Sequence, residues 1–416
     1  MNIALIGAGI VGVTTAYELA ADGHQVTVFE RHGAVAEETS FANAGIVAPG
    51  YVTPWAAPGM PGKVLGNLLS QHAAVRLGPR LGGAELGWIW KWLRACRTER
   101  YLSNRSHLQQ LAFYSRERLQ LLRESLELEY DRSQGYMVLL RSDKDRQMVQ
   151  AGLQVLKDAG VRFRDIGAEE ARKHEPALNP DTDFVGAIHL PDDEVGNCRQ
   201  FALLLRNEAQ RLGVRFEFNT TVTHLHPAPR VGVQLGGEGS PRPFDAVVVC
   251  AGLASAALLR PLGLKVPLVA VHGYSVSAAV REPLNAPRSA VMDERYKVAI
   301  SRLGQRVRVA GSAELGRSLA DKRQAPLRTL YKVLQDWFPG AARMAAGVQE
   351  WKGARPMLPD GPPLLGASGV PGIWLNLGHG SSGWALSCGS ARALADNLAG
   401  RPPQIELDGF SIQRYR

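Results

Sequence analysis

Cysteine is scarce in this chain. Its 416 residues hold only four, Cys96, Cys198, Cys250 and Cys388, far apart and without a C-x-x-C pair, so neither a disulfide framework nor a cysteine zinc site is suggested. Apolar runs of eighteen residues are absent, and no transmembrane helix is expected. Residue 2 already begins an apolar strand, with no basic region, apolar core and cleavage site before it, so a cytoplasmic protein is expected. Spacing suggests no Ser-His-Asp or Cys-His pairing, and no H-x-x-H or carboxylate cluster resembles a metal site; the expected metal content is none. Basic residues outnumber acidic ones, 48 to 39, for a net charge of +9, but they never cluster five or six in a row. That scatter reads as a solvated positive surface, and no nucleic-acid partner is expected.

What is present begins at the first residues. Asn2 to Ile6 is a short apolar strand, followed at once by Gly7-Ala8-Gly9-Ile10-Val11-Gly12, with glycines at the three positions of a G-x-G-x-x-G turn. Ala16, Leu19 and Ala20 recur at helical spacing, Gly23 ends the helix, and Val26 to Phe29 rebuild a strand that closes on Glu30. Gly7 permits the tight turn, Gly9 lets backbone N–H groups approach a diphosphate, and Gly12 allows close packing of helix on strand. A diphosphate would sit on the positive end of that helix. The Glu30 carboxylate can accept from both ribose hydroxyls and would repel a 2′-phosphate. The unit therefore reads as an adenine-dinucleotide site disfavouring NADP, with FAD and NAD both open.

A chain of this length favours two domains. Arg31 to Gly62 is a long loop carrying Thr39-Ser40-Phe41-Ala42-Asn43-Ala44-Gly45, with enough apolar residues to be ordered. Helices are expected over 63–77, 86–97 and 106–130. The second bears Trp88, Trp90 and Trp92 beside Lys91, Arg94, Arg97 and Arg100, which suits either an interfacial membrane helix or a core helix with a snorkelling basic edge. Phe244 to Gly252 is a continuous apolar strand of the kind buried on both faces of a parallel sheet, and its terminal Ala251-Gly252 offers a close backbone approach to a cofactor. From 266 to 311 the strands alternate, as in antiparallel sheet, so the chain has left the doubly wound domain there.

Two late segments carry chemistry. Gly353 to Pro362 is proline-bounded around Arg355, whose guanidinium fork suits bidentate capture of a carboxylate; a structural pairing with Asp360 is the alternative. Gly378-His379-Gly380-Ser381-Ser382-Gly383 opens the final helix and presents backbone N–H groups that stabilise negative charge. In a flavoprotein the matching charge is at the N1–C2=O locus of the reduced ring, and an NAD enzyme has no need of this second anion site. Tyr51, Tyr274 and Tyr296 lie where they could line a pocket. His379 is the one histidine in a glycine-rich site, with a satisfied structural histidine as the other reading.

Taken together, GAGIVG with Glu30, TSFANAG, DDEVGNC at 192–198, DAVVVCAG at 245–252, GYS at 273–275, DERYKVAISR at 293–302, GARPMLPDGPPLLG at 353–366 and GHGSSGWALSCG at 378–389 resemble the bacterial D-amino-acid dehydrogenase family, small-subunit type, within the D-amino-acid oxidase and glycine oxidase superfamily. The resemblance runs in order along the whole chain. It implies an α/β flavoprotein with a glutathione-reductase-like, Rossmann-type FAD domain from residues 1–50, 192–265 and 346–416, and a substrate domain on a mixed or antiparallel sheet from 51–191 and 266–345. FAD would be held without a covalent bond, because 353–366 contains no cysteine.

Carried over to this sequence, the resemblance makes Arg355 the carboxylate grip and Tyr274 a second catalytic contact, with Tyr51, Tyr296 and His379 on the substrate side. Cofactor contacts would come from Gly7, Gly9, Ile10, Val11, Gly12, Glu30 and Arg31. Ser40, Asn43, Ala44, Gly45 and Ile46 would follow, with Val222 near the adenosine. Ala251, Gly252, Gly353, Gly378, Gly380, Ser381, Ser382 and Gly383 would complete the set. The implied activity is oxidation of a D-amino acid to an imino acid that hydrolyses to a 2-oxo acid and ammonia. The implied electron acceptor is a quinone or an electron-transfer partner, with peripheral contact at the inner face of the cell membrane. Two other readings stand beside it: a related flavoenzyme for D-hydroxyproline, proline-like or N-methyl amino acids, and a noncatalytic FAD-bound accessory subunit. His272 stands where the family often has lysine, and Ser381-Ser382 where it has Thr-Leu, which bears on substrate preference. No feature of the sequence sets an oligomeric state.

Overall fold

A computed structural model describes residues 1–67, 70, 72–79 and 81–415. Two large sheets organise it. The first has six strands in the order Leu364–Ala367, Ile373–Leu377, Ala246–Val249, Asn2–Ile6, Gln25–Phe29 and Arg215–Glu217. All neighbours are parallel except the first pair. Asn2–Ile6 lies in the middle, and Ile3 to Ile6 and Ala246 to Val249 are almost wholly buried, as a strand covered on both faces requires.

Helix Ile10–Ala21 leaves the central strand and packs against the closing helix, Gly383–Leu398, where Thr14 Oγ1 donates to the Ser387 carbonyl (3.3 Å). The long helix Thr98–Ser125 crosses the closing helix at Gly389, whose ideal Cβ would stand 2.8 Å from the Ser115 nitrogen. Fully buried Glu18 ties the three together, accepting from Arg118 (2.6 and 2.8 Å) and Arg392 (2.9 Å). Such a buried acid holds its place only because two guanidiniums answer its charge.

The second sheet follows the order Gln349–Met357, Val269–Ala279, Arg306–Leu315, Val298–Leu303, Ala290–Asp293, Ser133–Leu140, Gly186–Val195 and Ile46–Val47, with Val75–Leu77 and Arg164–Gly167 attached beside it. Most pairs are antiparallel; Ser133–Leu140 runs parallel to Ala290–Asp293, and Val75–Leu77 parallel to Arg306–Leu315. Helix Gln324–Trp337 covers one face with Leu327, Leu330, Val333 and Trp337. The alternating strands of 266–311 are antiparallel as expected, within the mixed sheet that the resemblance implies.

Some boundaries differ from expectation. Residues 63–77 do not form one helix: Met60–Asn67 is helical and Val75–Leu77 is a strand, while 68, 69 and 71 lie outside the described residues. The pairing that makes 75–77 a strand comes from Ala313 to Leu315, more than two hundred residues away. Residue 192 falls within the strand Gly186–Val195, and Gln349–Met357, which follows the loop at 346, belongs to the second sheet. Among the described residues no helix is long and apolar enough to cross a membrane.

Candidate active site

The opening turn has the geometry its glycines demand. Gly7 sits at φ +100°, and a Cβ there would lie 2.7 Å from the Cys250 carbonyl oxygen; one at Gly12 would lie 1.9 Å from the Gly7 oxygen. Only hydrogen fits at either position. The helix behind them starts at Gly9 with no side-chain cap, and the Ile10 N–H donates to Ser40 Oγ (3.1 Å). Val11 follows in the first turn. Glu30 braces the turn from the next strand, accepting from the N–H groups of Ala8 (2.7 Å) and His32 (2.9 Å). Arg31 bonds Glu38 through Nε (2.8 Å). Ala251 touches the Gly7 turn, and Gly252, at φ +53°, has open space where a Cβ would be. Val222 differs from the expectation of an adenosine contact in one respect: it is buried among Leu225, Val233 and Val249.

From this turn a cavity of about 550 Å³ runs between the two sheets. Ile10, Ser40, Asn43, Ala44, Gly45 and Ile46 border it on one side, and Gly353, Gly380, Ser381, Ser382 and Gly383 on another. The loop 40–46 is pinned from three directions. Arg308 Nη1 donates to the Asn43 carbonyl (3.0 Å), Ser301 Oγ to Ala44 (2.7 Å) and Trp384 Nε1 to Gly45 (3.1 Å). The closing helix begins at Gly383 with no side-chain cap, so a second helix N-terminus faces the cavity bare. Gly378 and Gly380 shape the approach to it, at φ +80° and +58°, with Leu358 and Met357 occupying the space of their missing Cβ atoms.

Arg355 enters the same cavity from the edge strand Gln349–Met357. Its Nη1 donates to the Ser312 carbonyl (2.9 Å), and the Trp55 ring lies 5.9 Å from its guanidinium carbon. Asp360 does not pair with it; that carboxylate is taken by Arg414 (2.9 Å) and Tyr415. Burial pushes the Arg355 guanidinium down to about 10, with no nearby carboxylate opposing the shift. The group stays cationic at neutral pH and lacks a counter-charge among the described residues. Gly273, on the neighbouring strand, makes room for it: a Cβ there would stand 2.2 Å from Arg355 Nη2.

Other candidates are distributed differently. Tyr51 does border the cavity, in edge contact with Tyr136 (5.8 Å, 86°), and burial pushes both phenols up. Tyr274 also borders it, but its hydroxyl donates to Glu314 (2.8 Å) and accepts from the Arg323 N–H (3.2 Å), and so is committed beneath helix Gln324–Trp337. Strand alternation is the reason, since Gly273 and Ser275 face the opposite way. Tyr296 is not among the lining residues; it packs with His72 (5.8 Å) and under Arg141 (5.1 Å). His379 is also outside the lining. It bonds Ser390 Oγ (3.0 Å), and burial pushes it down to about 3.

Sequence reasoning passed over Tyr136, Trp351, Ser312 and Lys297, all of which line the cavity. Lys297 is engaged by Glu294. None lies in a glycine-rich or proline-rich motif; Lys297 falls within the DERYKVAISR segment, where nothing singles it out.

The two helix N-termini without an N-cap side chain, the close glycine approaches, Glu30 and the open space beside Gly252 fit a long dinucleotide with its adenosine end at Gly7 to Glu30 and its ring end in the cavity. A model of the family described as FAD dependent oxidoreductase matches residues 2–397. A D-amino acid dehydrogenase of Bradyrhizobium diazoefficiens is 41% identical over 418 residues, covering 100% of this chain and 99% of that protein. Another from Cereibacter sphaeroides is 43% identical over 419 residues, covering 100% and 95%. Among solved structures, glycine oxidase from Geobacillus kaustophilus superposes with a TM-score of 0.75 at 20% identity over 99% of this chain and 98% of that one, which speaks for the fold. The chain belongs to this family of FAD-dependent oxidoreductases.

Proposed function

We propose that the protein oxidises D-amino acids to 2-oxo acids and ammonia, passing the electrons to an acceptor other than the substrate. The observation that carries this reading is Arg355: a half-buried guanidinium with no carboxylate partner, facing a cavity that also receives a bare helix N-terminus. The names of the two full-length relatives supply the D-amino-acid class.

Gly7 to Gly12, Glu30, the 40–46 loop and Gly380 to Gly383 would hold FAD, which would supply the two-electron acceptor for the substrate Cα hydrogen. Everything else is done by the chain. Arg355 takes the substrate carboxylate in a bidentate pair and so fixes the direction in which Cα presents its hydrogen. The N-terminus of Gly383–Leu398 stabilises negative charge that develops beside it. Among the described lining residues no histidine or carboxylate is available as a base. The substrate therefore enters with its amine already neutral, and Tyr51 and Tyr136, held protonated by burial, bound the cavity near Ile46 and Met292. Water then hydrolyses the imine, giving the 2-oxo acid and ammonia.

The acceptor is taken to be a quinone or an electron-transfer protein. Helix Gly83–Ala95 supports a membrane-surface location: Leu86, Trp90 and Leu93 are exposed at 56%, 55% and 46%, on one face, while Trp88 is buried and bonded to the Met357 carbonyl (3.0 Å). The test of the activity is anaerobic addition of D- and L-alanine to the yellow enzyme. Bleaching by the D form alone is expected; bleaching by the L form alone, or by neither, overturns the reading.

A further inference from the structure

A second cavity, of about 560 Å³, lies behind one wall of the first, and Ala42, Ser275 and Trp351 border both. The Phe41 ring stacks on the Trp351 indole within that wall (4.5 Å, 29°). Ser275 and Ser277 face away from Tyr274, and in the ladder Ser277 stands opposite Arg308, which lines the second cavity. Arg308 donates through Nε to Ser277 Oγ (2.9 Å) and through Nη1 to the Asn43 carbonyl (3.0 Å). No carboxylate neutralises it among the described residues; the nearby charges are Arg199 and Arg306. The acid in the lining, Glu350, is already taken by Lys322 (2.9 Å) and the Tyr331 hydroxyl (2.8 Å). Ser275 is 2% exposed and its Oγ has no hydrogen-bond partner. A half-buried cation without a counter-charge and a buried unpaired hydroxyl beside one cavity are both costly unless something polar answers them.

We propose that this second cavity binds a small carboxylate anion, held by Arg308 and Ser275, and that its occupancy is felt at the flavin through the Asn43 carbonyl. The coupling is short. Asn43, Ala44 and Gly45 line the first cavity, and the Gly45 N–H donates to Asn43 Oδ1 (2.9 Å). A guanidinium that turns toward a carboxylate loosens its hold on Asn43, and with it the loop beside the ring. The site stands on this geometry; only the identity of the anion rests on the proposed reaction, whose 2-oxo acid product belongs to this class.

Calorimetric titration of oxidised holoenzyme with pyruvate tests it without turnover, with acetate and chloride as parallel arms. Two pyruvates per chain are expected in the wild type, one at Arg355 and one at Arg308. One is expected in Arg308→Gln and one in Arg355→Gln, where the remaining event still shifts the flavin absorbance. Val348→Trp, which takes space from the second cavity while keeping Arg308 in the sequence, should also leave one. The proposal fails if the wild type binds one, if Arg308→Gln and Val348→Trp both keep two, or if chloride gives the same heat at the same concentration, which marks an adventitious ion only. Reduction of the wild-type enzyme by D-alanine, measured separately, reports on the reaction reading alone.

Discussion

Replacing Gly273 with alanine adds one methyl group where the fold has no room. An ideal Cβ at 273 lies 2.2, 2.6 and 2.8 Å from Nη2, Cζ and Nη1 of Arg355. Non-bonded carbon contacts settle at about 3.5–4.0 Å, so the guanidinium has to retreat by about 1 Å or more. It cannot turn in place, because Nη1 is held by the Ser312 carbonyl and the Trp55 ring stands on its flank. A displaced fork loses one charge-assisted hydrogen bond to the substrate carboxylate, worth about 1.5–3 kcal/mol. At about 1.4 kcal/mol per factor of ten, kcat/KM for D-alanine falls roughly 10- to 150-fold. The assay is anaerobic stopped-flow reduction of the flavin against D-alanine concentration. Flavin content reports separately on the opening turn, which the substitution does not touch. Full flavin content with unchanged kcat/KM would show that Arg355 does not grip the substrate.

Three further outcomes follow from other parts of the molecule. Asp193 is buried, with one oxygen unpartnered, and burial pushes its carboxyl up to about 7, above its ordinary value near 4. A raised acid binds its proton more tightly folded than unfolded, so its charging costs stability as pH rises between those values. Asp193→Asn should gain thermal midpoint over the wild type progressively from pH about 4 to about 7 and hold that gain above; a difference flat with pH refutes it. His272 and His379 are pushed down to about 4 and about 3 and neither borders the cavity. The kcat/KM profile should therefore climb with pH as the substrate amine loses its proton, without an inflection near the ordinary histidine value of about 6.5. Finally, Leu86→Ser, Trp90→Ser and Leu93→Ser combined should abolish co-sedimentation with anionic vesicles at low salt while leaving flavin reduction intact; a wild type that stays in the supernatant removes the membrane contact.

The dinucleotide turn was legible because its parts are neighbours in the chain: three glycines, a helix behind them and an acid at the end of the next strand specify one another within thirty residues. Arg355 was legible for a similar reason, being the one cation in a stiff proline-bounded segment. What the sequence left dark is set by pairing across long separations. Tyr274 and Gly273 are adjacent, yet only the ladder to Lys352 and Gly353 decides that the glycine faces the cavity and the phenol faces Glu314. Tyr136 is another case. Nothing around it resembles a site, and it reaches the cavity only because Ser133–Leu140 lies beside Ala290–Asp293, which carries the lining residue Met292.

Why the reaction residues should sit so far from the fingerprint then has a physical answer. The first helix N-terminus can serve one end of the cofactor, and its charge effect fades within a turn. A second would be needed at the ring, and in the proposed reading Gly383–Leu398 supplies it; that helix packs along Ile10–Ala21, with Glu18 locking the two through Arg392. Those helices share one buried acid, so the spacing between adenosine end and ring end is held by the same contact that holds the fold. Arg355 enters the cavity from the other sheet, through an edge strand whose last residue, Met357, bridges to His379 ahead of the closing helix. The proposed grip on the substrate and the proposed ring site are therefore joined by backbone and not by a flexible hinge. This makes the Gly273 methyl group a sharp probe, because a guanidinium displaced there has no neighbouring element free to move and restore it.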